Sequence, residues 1–127
     1  MPVSTYLANK LLDHVLRNVS YTPPATVYLA LYTSNPTAAD TGTEVSGGSY
    51  ARVAVTFAAA ATRATSNSAV IDTPSASASW GTPTHYGIRD AAAAGNLLFF
   101  GERPAPAEIP SGYFVEIAAG DLNVSMV

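Results

Sequence analysis

Val27-Tyr-Leu-Ala-Leu-Tyr-Thr-Ser-Asn-Pro-Thr37, followed by Gly42-Thr-Glu-Val-Ser-Gly-Gly-Ser-Tyr-Ala-Arg52, decides the fold class of this chain. From Thr26 to Tyr32, a period of two sets Val27, Leu29 and Leu31 on one face and Tyr28, Ala30 and Tyr32 on the other. Both faces are apolar or aromatic, which predicts a central strand covered on both sides. Thr33-Ser-Asn-Pro36 stops it, because Asn-Pro favours a turn and proline has no N–H to give to a ladder. Thr37 to Ser49 holds three glycines and only one large hydrophobe, Val45, so it reads as a long loop. Alternation resumes at Tyr50 to Phe57, with Ala51, Val53, Val55 and Phe57 against Tyr50, Arg52, Ala54 and Thr56. No side chain in the stretch stands in a catalytic pattern. It is architecture and loop.

Working outward, Ser4 or Thr5 can cap a helix, and Leu7, Leu11, Leu12, Val15, Leu16 and Val19 follow at helical spacing. Asp13 and Arg17 can pair four apart on the polar side. The two prolines of Tyr21-Thr-Pro-Pro24 are expected to end the helix, which gives a span of 4–19. Residues 26–127 read as strand and loop. Further strands are expected at Ser68–Thr73, Ser79–Arg89, Leu97–Phe100, Tyr113–Ala118 and Asp121–Met126. Pro83 inside the Ser79–Arg89 run predicts an edge position, a bulge or a split into two strands. Asp90-Ala-Ala-Ala-Ala-Gly-Asn96 reads as a hairpin connection with Gly95-Asn96 supplying positive φ. The alanine-rich Ala58–Ala61 segment and its sequel are expected to be a loop, as is the stretch holding Pro104, Pro106 and Pro110. The last two strands read as a closing hairpin around Gly120-Asp121. The expected fold is mainly β, an antiparallel β-sandwich of jelly-roll or Greek-key type with one N-terminal α-helix, in a single domain 1–127.

Composition narrows the function classes. A chain of 127 residues buries about two thirds of its unfolded surface, enough for a core without staples. Hydrophobic residues make up 48% of it, but many are alanines, and only 12% of residues are charged. A surface built from Thr, Ser, Ala, Gly and Asn suits close contact with neighbouring copies or partners, since little charge has to be desolvated. The net charge of −3 and the scattered Arg17, Arg52, Arg63, Arg89 and Arg103 argue against a nucleic-acid partner. With no cysteine, disulfides, thiolate nucleophiles and thiolate metal sites are excluded. Asn9, Lys10, Asp13, His14 and Arg17 interrupt the apolar positions between Tyr6 and Val19, so no signal peptide is read there, and no run is long enough to span a membrane.

The chemistry-bearing residues form no catalytic constellation. His14 and His85 fall in different elements and match no metal-ligand spacing. Asp40, Asp90 and Asp121 sit beside loop alanines or glycines, where aspartate caps turns. Asp40 and Glu44 share one loop, but two carboxylates are few for a calcium site. Gly42-Thr-Glu-Val-Ser-Gly-Gly-Ser lacks the lysine of a phosphate loop and precedes a strand, so it cradles no phosphate. No enzyme activity, cofactor or metal is expected. Interface candidates are Leu7 and Leu11 on the helix, Asn35, Asp40 and Glu44 in the loop, and Trp80, whose ring is also the first choice for stacking on a sugar.

Ala30-Leu-Tyr-Thr-Ser-Asn-Pro-Thr37 and Gly42 to Phe57 together resemble a family of small tailed-bacteriophage virion proteins usually labelled phage tail fibre-like. Supporting pieces are Leu7 to Leu16, Tyr21-Thr-Pro-Pro-Ala-Thr26, Ala78-Ser-Trp-Gly-Thr-Pro-Thr-His-Tyr-Gly-Ile88, Gly95-Asn-Leu-Leu-Phe-Phe-Gly101 and Ala118-Ala-Gly-Asp-Leu122. The pieces run in order over the whole chain. The resemblance implies a non-catalytic structural protein of the virion, made in the host cytoplasm. It would decorate or cement the capsid surface or form part of a tail or head fibre. The expected partners are a major capsid or tail protein and further copies of the chain, as a homo-oligomer such as a trimer. The alternative expectation is a carbohydrate-binding module that recognises a host surface through its aromatic side chains.

Overall fold

The computed structural model describes residues 1–126. One helix, α1 (Thr5–Arg17), opens the chain. Eight strands follow: β1 (Val27–Tyr32), β2 (Val53–Val55), β3 (Ala64–Ser66), β4 (Ile71–Asp72), β5 (His85–Arg89), β6 (Leu97–Glu102), β7 (Glu116–Ile117) and β8 (Asn123–Ser125). All ladders are antiparallel. A four-stranded sheet runs in the order β2-β1-β5-β6, and two ribbons, β3–β8 and β4–β7, complete the strands. The mainly β, antiparallel class with one N-terminal helix is therefore as expected. The sheet and the ribbons enclose a shared apolar cluster in a sandwich-like arrangement. That cluster joins Leu29, Leu31, Val55 and Ile88 of the sheet to Ile71, Ile117 and Leu122 of the ribbon side.

β1 is the central strand that its two apolar faces demand. Leu29 and Leu31 belong to the main cluster, while Ala30 and Tyr32 pack with Leu97 on the other face. β5 pairs along its whole length with β1, from Tyr28↔Arg89 to Tyr32↔His85. Because the ring of Tyr32 lies over β5 at Gly87, which pairs with Ala30, a glycine is needed there. A Cβ there would stand 2.5 Å from the Tyr32 ring. Pro83 lies just outside β5, so the long run splits ahead of the strand, one of the outcomes expected of a proline in a ladder.

α1 is held at its start. Ser4, 1% exposed, caps it by accepting from the Leu7 N–H at 3.1 Å. The same hydroxyl donates to the Leu97 carbonyl, and the Ser4 N–H donates to the Leu98 carbonyl at 2.8 Å. Val3 bridges to Phe99, so residues 1–4 cover the outer edge of β6. The helix stops at Arg17, before the prolines expected to end it. Asn18 takes the left-handed conformation (φ 57°), and the Val19 N–H closes on the Asp13 carbonyl at 3.1 Å. A side chain that tolerates the left-handed region ended the helix before proline could.

Three connections differ from the sequence reading. The Asp90–Asn96 turn places Ala94 (φ 52°) and Gly95 (φ 71°), not Asn96, in the left-handed region. The segment after Phe57 is not loop throughout. Thr62 and Arg63 both take positive φ in a tight turn between Ala61 and Ala64, and β3 follows. Thr-Arg is not a pair that favours such a turn, so no local signal announces it. Nor do Tyr113–Ala118 and Asp121–Met126 form a hairpin with each other. β7 pairs with β4 and β8 with β3. The deciding residue is Asn67, 2% exposed, around which the Gly120-Asp121 turn wraps. Its Oδ1 accepts from the Leu122 N–H at 2.9 Å, and its Nδ2 donates to the Ala69 and Ala118 carbonyls at 2.9 Å.

The edge-covering arm and the helix cap share one side chain. Ser4→Ala removes the cap and leaves the buried Leu97 carbonyl unpaired, so an unfolding-free-energy loss of about 2 kcal/mol is expected. Urea denaturation followed by circular dichroism measures it, and a loss under about 0.5 kcal/mol would mean that the cap is redundant.

Candidate functional site

The loop between β1 and β2 is the most elaborately fastened part of the molecule. Its entry and exit run side by side: the Thr33 N–H donates to the Thr43 carbonyl at 2.9 Å, and the Val45 N–H donates to the Leu31 carbonyl at 2.9 Å. Within it, Asn35 Oδ1 accepts from the Thr37 N–H at 2.9 Å, and the Ser34 hydroxyl accepts from the Thr43 N–H at 2.8 Å. Pro36 is fully buried, and Gly42 passes so close to it that a Cβ would lie 2.6 Å from Pro36 Cα. The helix start is tied in too, through the Thr5 N–H to the Ala38 carbonyl at 2.9 Å.

Two arginines then lock this loop to the β5–β6 turn. Arg89, 7% exposed, uses every donor of its guanidinium. Nη1 and Nη2 grip both oxygens of Asp40 at 2.8 and 2.9 Å. The remaining donors reach the Tyr32 hydroxyl at 2.9 Å, the Gly95 carbonyl at 2.9 Å and the Ala94 carbonyl at 3.3 Å. Arg52 makes a second two-point fork on Glu44 at 2.7 and 2.8 Å and donates to the Ala91 and Ala94 carbonyls at 2.8 Å. Glu44 also accepts from the Tyr50 hydroxyl at 2.7 Å, and that hydroxyl in turn accepts from the Leu31 N–H at 3.0 Å. Planar guanidinium against planar carboxylate fixes orientation as well as distance, which lysine could not do.

The electrostatics follow from this geometry. Burial pushes the Glu44 carboxyl up, but the hydrogen bonds from Arg52 and Tyr50 and the nearby arginine charges outweigh it and hold the group below the ordinary 4.5. The Tyr50 phenol is pushed well above 10.0 by burial and by its bond to Glu44. Burial alone would lower Arg89, yet Asp40 and Tyr32 hold it firmly protonated. These groups are locked in their charge states near neutral pH. They hold a loop in place and are not poised to exchange protons.

Asp40 and Glu44 are therefore brought together, on adjoining arginines that share the Ala94 carbonyl as acceptor. Asn35 lies exposed in the same loop. Trp80 is 4% exposed: its Nε1 donates to the Gly48 carbonyl at 2.8 Å and its ring meets Tyr50 edge to face at 5.5 Å. No ring face is left for stacking on a sugar. Gly48 makes this possible, since φ of +56° and an Ala78 carbonyl 2.7 Å from any added Cβ admit only glycine. Leu7 is 6% exposed in the core, and Leu11 packs against the same cluster. Sequence reasoning missed Arg52, Arg89, Tyr32 and Tyr50. The available signal was an arginine at the end of each of two apolar runs, because a charge entering a core needs a carboxylate.

Two further surfaces stand out. A groove of about 960 Å3 runs beside the β5–β6 edge and is lined by His85, Phe100, Glu102, Phe114, Glu116 and Asp121 among others. Elsewhere, Leu12, Val15 and Leu16 on the second half of α1 are 56%, 73% and 74% exposed, and Val19 just beyond is 44% exposed. Among the described residues, no group of three or more His, Asp or Glu side chains converges as a metal site. Among the same residues, no helix is long and apolar enough to cross a membrane.

Fold and site together define a small β-rich protein that presents a rigidly clamped loop, with no proton-shuttling pair in the clamp. The chain matches the family described as podophage GP4 fiber I protein gp80 over residues 2–125 and belongs to that family. It is thus a phage fibre protein and a component of the virion, in line with the fibre-like resemblance of its sequence. No curated protein matches it.

Arg89→Met takes the arginine donor from Asp40, the Tyr32 hydroxyl and the Gly95 carbonyl, while the Ala94 carbonyl keeps Arg52, and Asp40 is the partner with some access to water. A loss of about 3 kcal/mol is expected by urea denaturation, the low end for breaking a buried pair. The Glu44 carboxyl lies below its unfolded value of 4.5, so its stabilisation is present above pH 4.5 and is lost as pH falls through the lower folded value. Urea midpoints measured from pH 7 down to pH 3 should drop more steeply below 4.5 for the natural chain than for Glu44→Gln. Parallel profiles would show that Glu44 does not contribute.

Proposed function

We propose that the protein is a non-enzymatic structural part of the phage particle that works by shape: it fits against other virion proteins and against copies of itself. One observation carries this reading. Both carboxylates of the distinctive loop, Asp40 and Glu44, are consumed by two-point arginine forks, so the loop is stiff and its acids are not available to act on a substrate. A stiff loop loses little conformational freedom on docking, which suits a contact repeated many times. The outer side of Thr33–Ser49, with exposed Asn35, is the part of the loop turned to a neighbour. The low proportion of charged residues points the same way.

Within this function, family membership favours a place in a fibre at the head or tail, with a major capsid or tail protein as the anchoring partner. The chain assembles with itself as a homo-oligomer, such as a trimer. Decoration or cementing of the capsid surface is the second reading. It is favoured by the lack of any internal repeat in the chain, since elongated fibres grow through repeats.

Mass spectrometry of purified particles, with immunogold labelling of an epitope inserted after Gly112, tests the reading. The expected result is retention in the particle with label at the tail end in a small number of copies. Hundreds of copies spread over the head would establish decoration instead, and absence from purified particles would sink both.

A further inference from the structure

Residues 1–4 act as a short edge strand, yet not on the strand that comes next in sequence. They pair with β6: the Phe100 N–H donates to the Pro2 carbonyl at 3.1 Å and the Ser4 N–H to the Leu98 carbonyl at 2.8 Å. The sheet then continues β6-β5-β1, so two strands separate this arm from β1, the first strand after α1. Without the arm, the outer edge of β6 would present those groups unpaired, the kind of edge to which another chain adds. α1 rests on the same strand, with Leu7 as its one buried side chain, and Tyr6, Leu11 and Tyr21 pack partly on the core. The Thr5 N–H adds the contact to Ala38 of the β1–β2 loop. Arm, helix and Tyr21 therefore form one unit, residues 1–21, seated mainly on β6.

The connection from this unit to the body is fastened far less. Among the described residues, no backbone N–H or carbonyl of residues 20–26 pairs with another backbone group. Thr22-Pro-Pro-Ala-Thr26 is exposed except for the half-buried Pro24. The two prolines fix their own φ and hold the residue before each of them extended, so 22–24 is a stiff rod. The change of direction into β1 falls on a bend at Ala25 and Thr26. Straightening that bend carries residues 1–21 away as one body, on a hinge that spans about 16 Å at about 3.1 Å per residue. Each contact that the unit makes is offered identically by β6 of a second copy. Exchange therefore gives up none of them, and the two states differ in the hinge and in the entropy of association. A stiff Pro-Pro rod next to the bend favours the straight hinge, where a flexible one would let the unit fold back on its own body.

We propose that residues 1–21 are exchanged between copies, so that the arm and α1 of one chain cover β6 of the next, with the hinge at Ala25-Thr26. The partner is a second copy of this chain, seated where the structure shows the chain's own arm. This deepens the proposed function and rests on its premise that the chain assembles with itself. Each exchanged unit buries Leu7 and closes the β6 edge in its neighbour, so self-association needs no surface beyond one already formed within a single chain. Returned directly, the exchange gives a dimer; passed round a ring, it gives a trimer.

Because the chain has no cysteine, a cross-link between arm and sheet is diagnostic. Val3 and Phe99 face each other as antiparallel bridge partners, at a separation that a disulfide can span. Val3→Cys with Phe99→Cys, oxidised and run denatured without reductant, should give covalent dimers or trimers that reductant returns to single chains. Each cysteine alone serves as the control for random pairing. Single chains closed by an internal disulfide would overturn the exchange. If that same sample sediments as an oligomer, self-assembly through another surface stands and only the exchange falls. Phe99 packs partly on the core, so a second variant leaves the core untouched: Pro23→Gly with Pro24→Gly. By sedimentation velocity the natural chain should be a dimer or trimer, and this variant should self-associate about tenfold more weakly, since a flexible hinge favours the closed chain. An unchanged association constant would overturn the exchange, as would a natural chain that is monomeric at high concentration. A natural chain found in particles yet closed on itself would sink the exchange while leaving the structural role standing.

Discussion

The two-point grip of Arg89 on Asp40, seconded by Arg52 on Glu44, is the constraint on which the rest of the surface depends. It joins a loop that begins at the end of β1 to a turn that links β5 and β6, two segments far apart in sequence. An arginine buried at the end of an apolar strand is costly unless every donor is used, and Arg89 uses all five. That requirement forces the Ala94 and Gly95 carbonyls inward, which is why Ala94 accepts the strain of a positive φ. The unusual backbone of the β5–β6 turn and the order of the loop thus have one cause.

From this clamp the architecture spreads in two directions. Tyr50 hands the fixed position of Glu44 on to Leu31 of the central strand and packs its ring against Trp80, so the loop exit is held by both polar and aromatic contacts. On the far side, Thr5 and Ser4 tie the helix start to the loop and to β6. The helix is consequently aimed from its first turn, while its second half projects with its apolar stripe in solvent. A virion protein of this kind is defined by where its surfaces are held, and here the positions are set by two arginine–carboxylate pairs and a single capping serine.

Much of this was legible in the chain. The period-two pattern of Val27–Tyr32 requires burial on both sides, and both sides are covered. The helical spacing from Leu7 to Val19 predicts α1, and Ser4 caps it. The site was half legible. Asp40 and Glu44 were singled out as loop acids at a contact surface, but their arginine partners were not, since nothing local in His85-Tyr-Gly-Ile-Arg89 says which carboxylate will cross to meet it. Trp80 illustrates the same limit. A lone tryptophan ahead of a strand looks like a stacking platform until Gly48 and Tyr50, distant in sequence, are seen to cover it.

By itself the sequence determined the secondary periodicities, the antiparallel, mainly β class, the lack of thiol chemistry and the fibre-family identity, because these depend on residue type and near-neighbour spacing. Only the tertiary structure decided which strands pair, because Tyr113–Ala118 and Asp121–Met126 alternate in the same way whether they meet each other or β4 and β3. There a buried amide, Asn67, chose the partners by giving and accepting hydrogen bonds that neither strand pattern records. The way the loop is held was decided likewise. Whether two acids catalyse, bind or clamp depends on the charge that faces them, and that charge arrives from elsewhere in the fold.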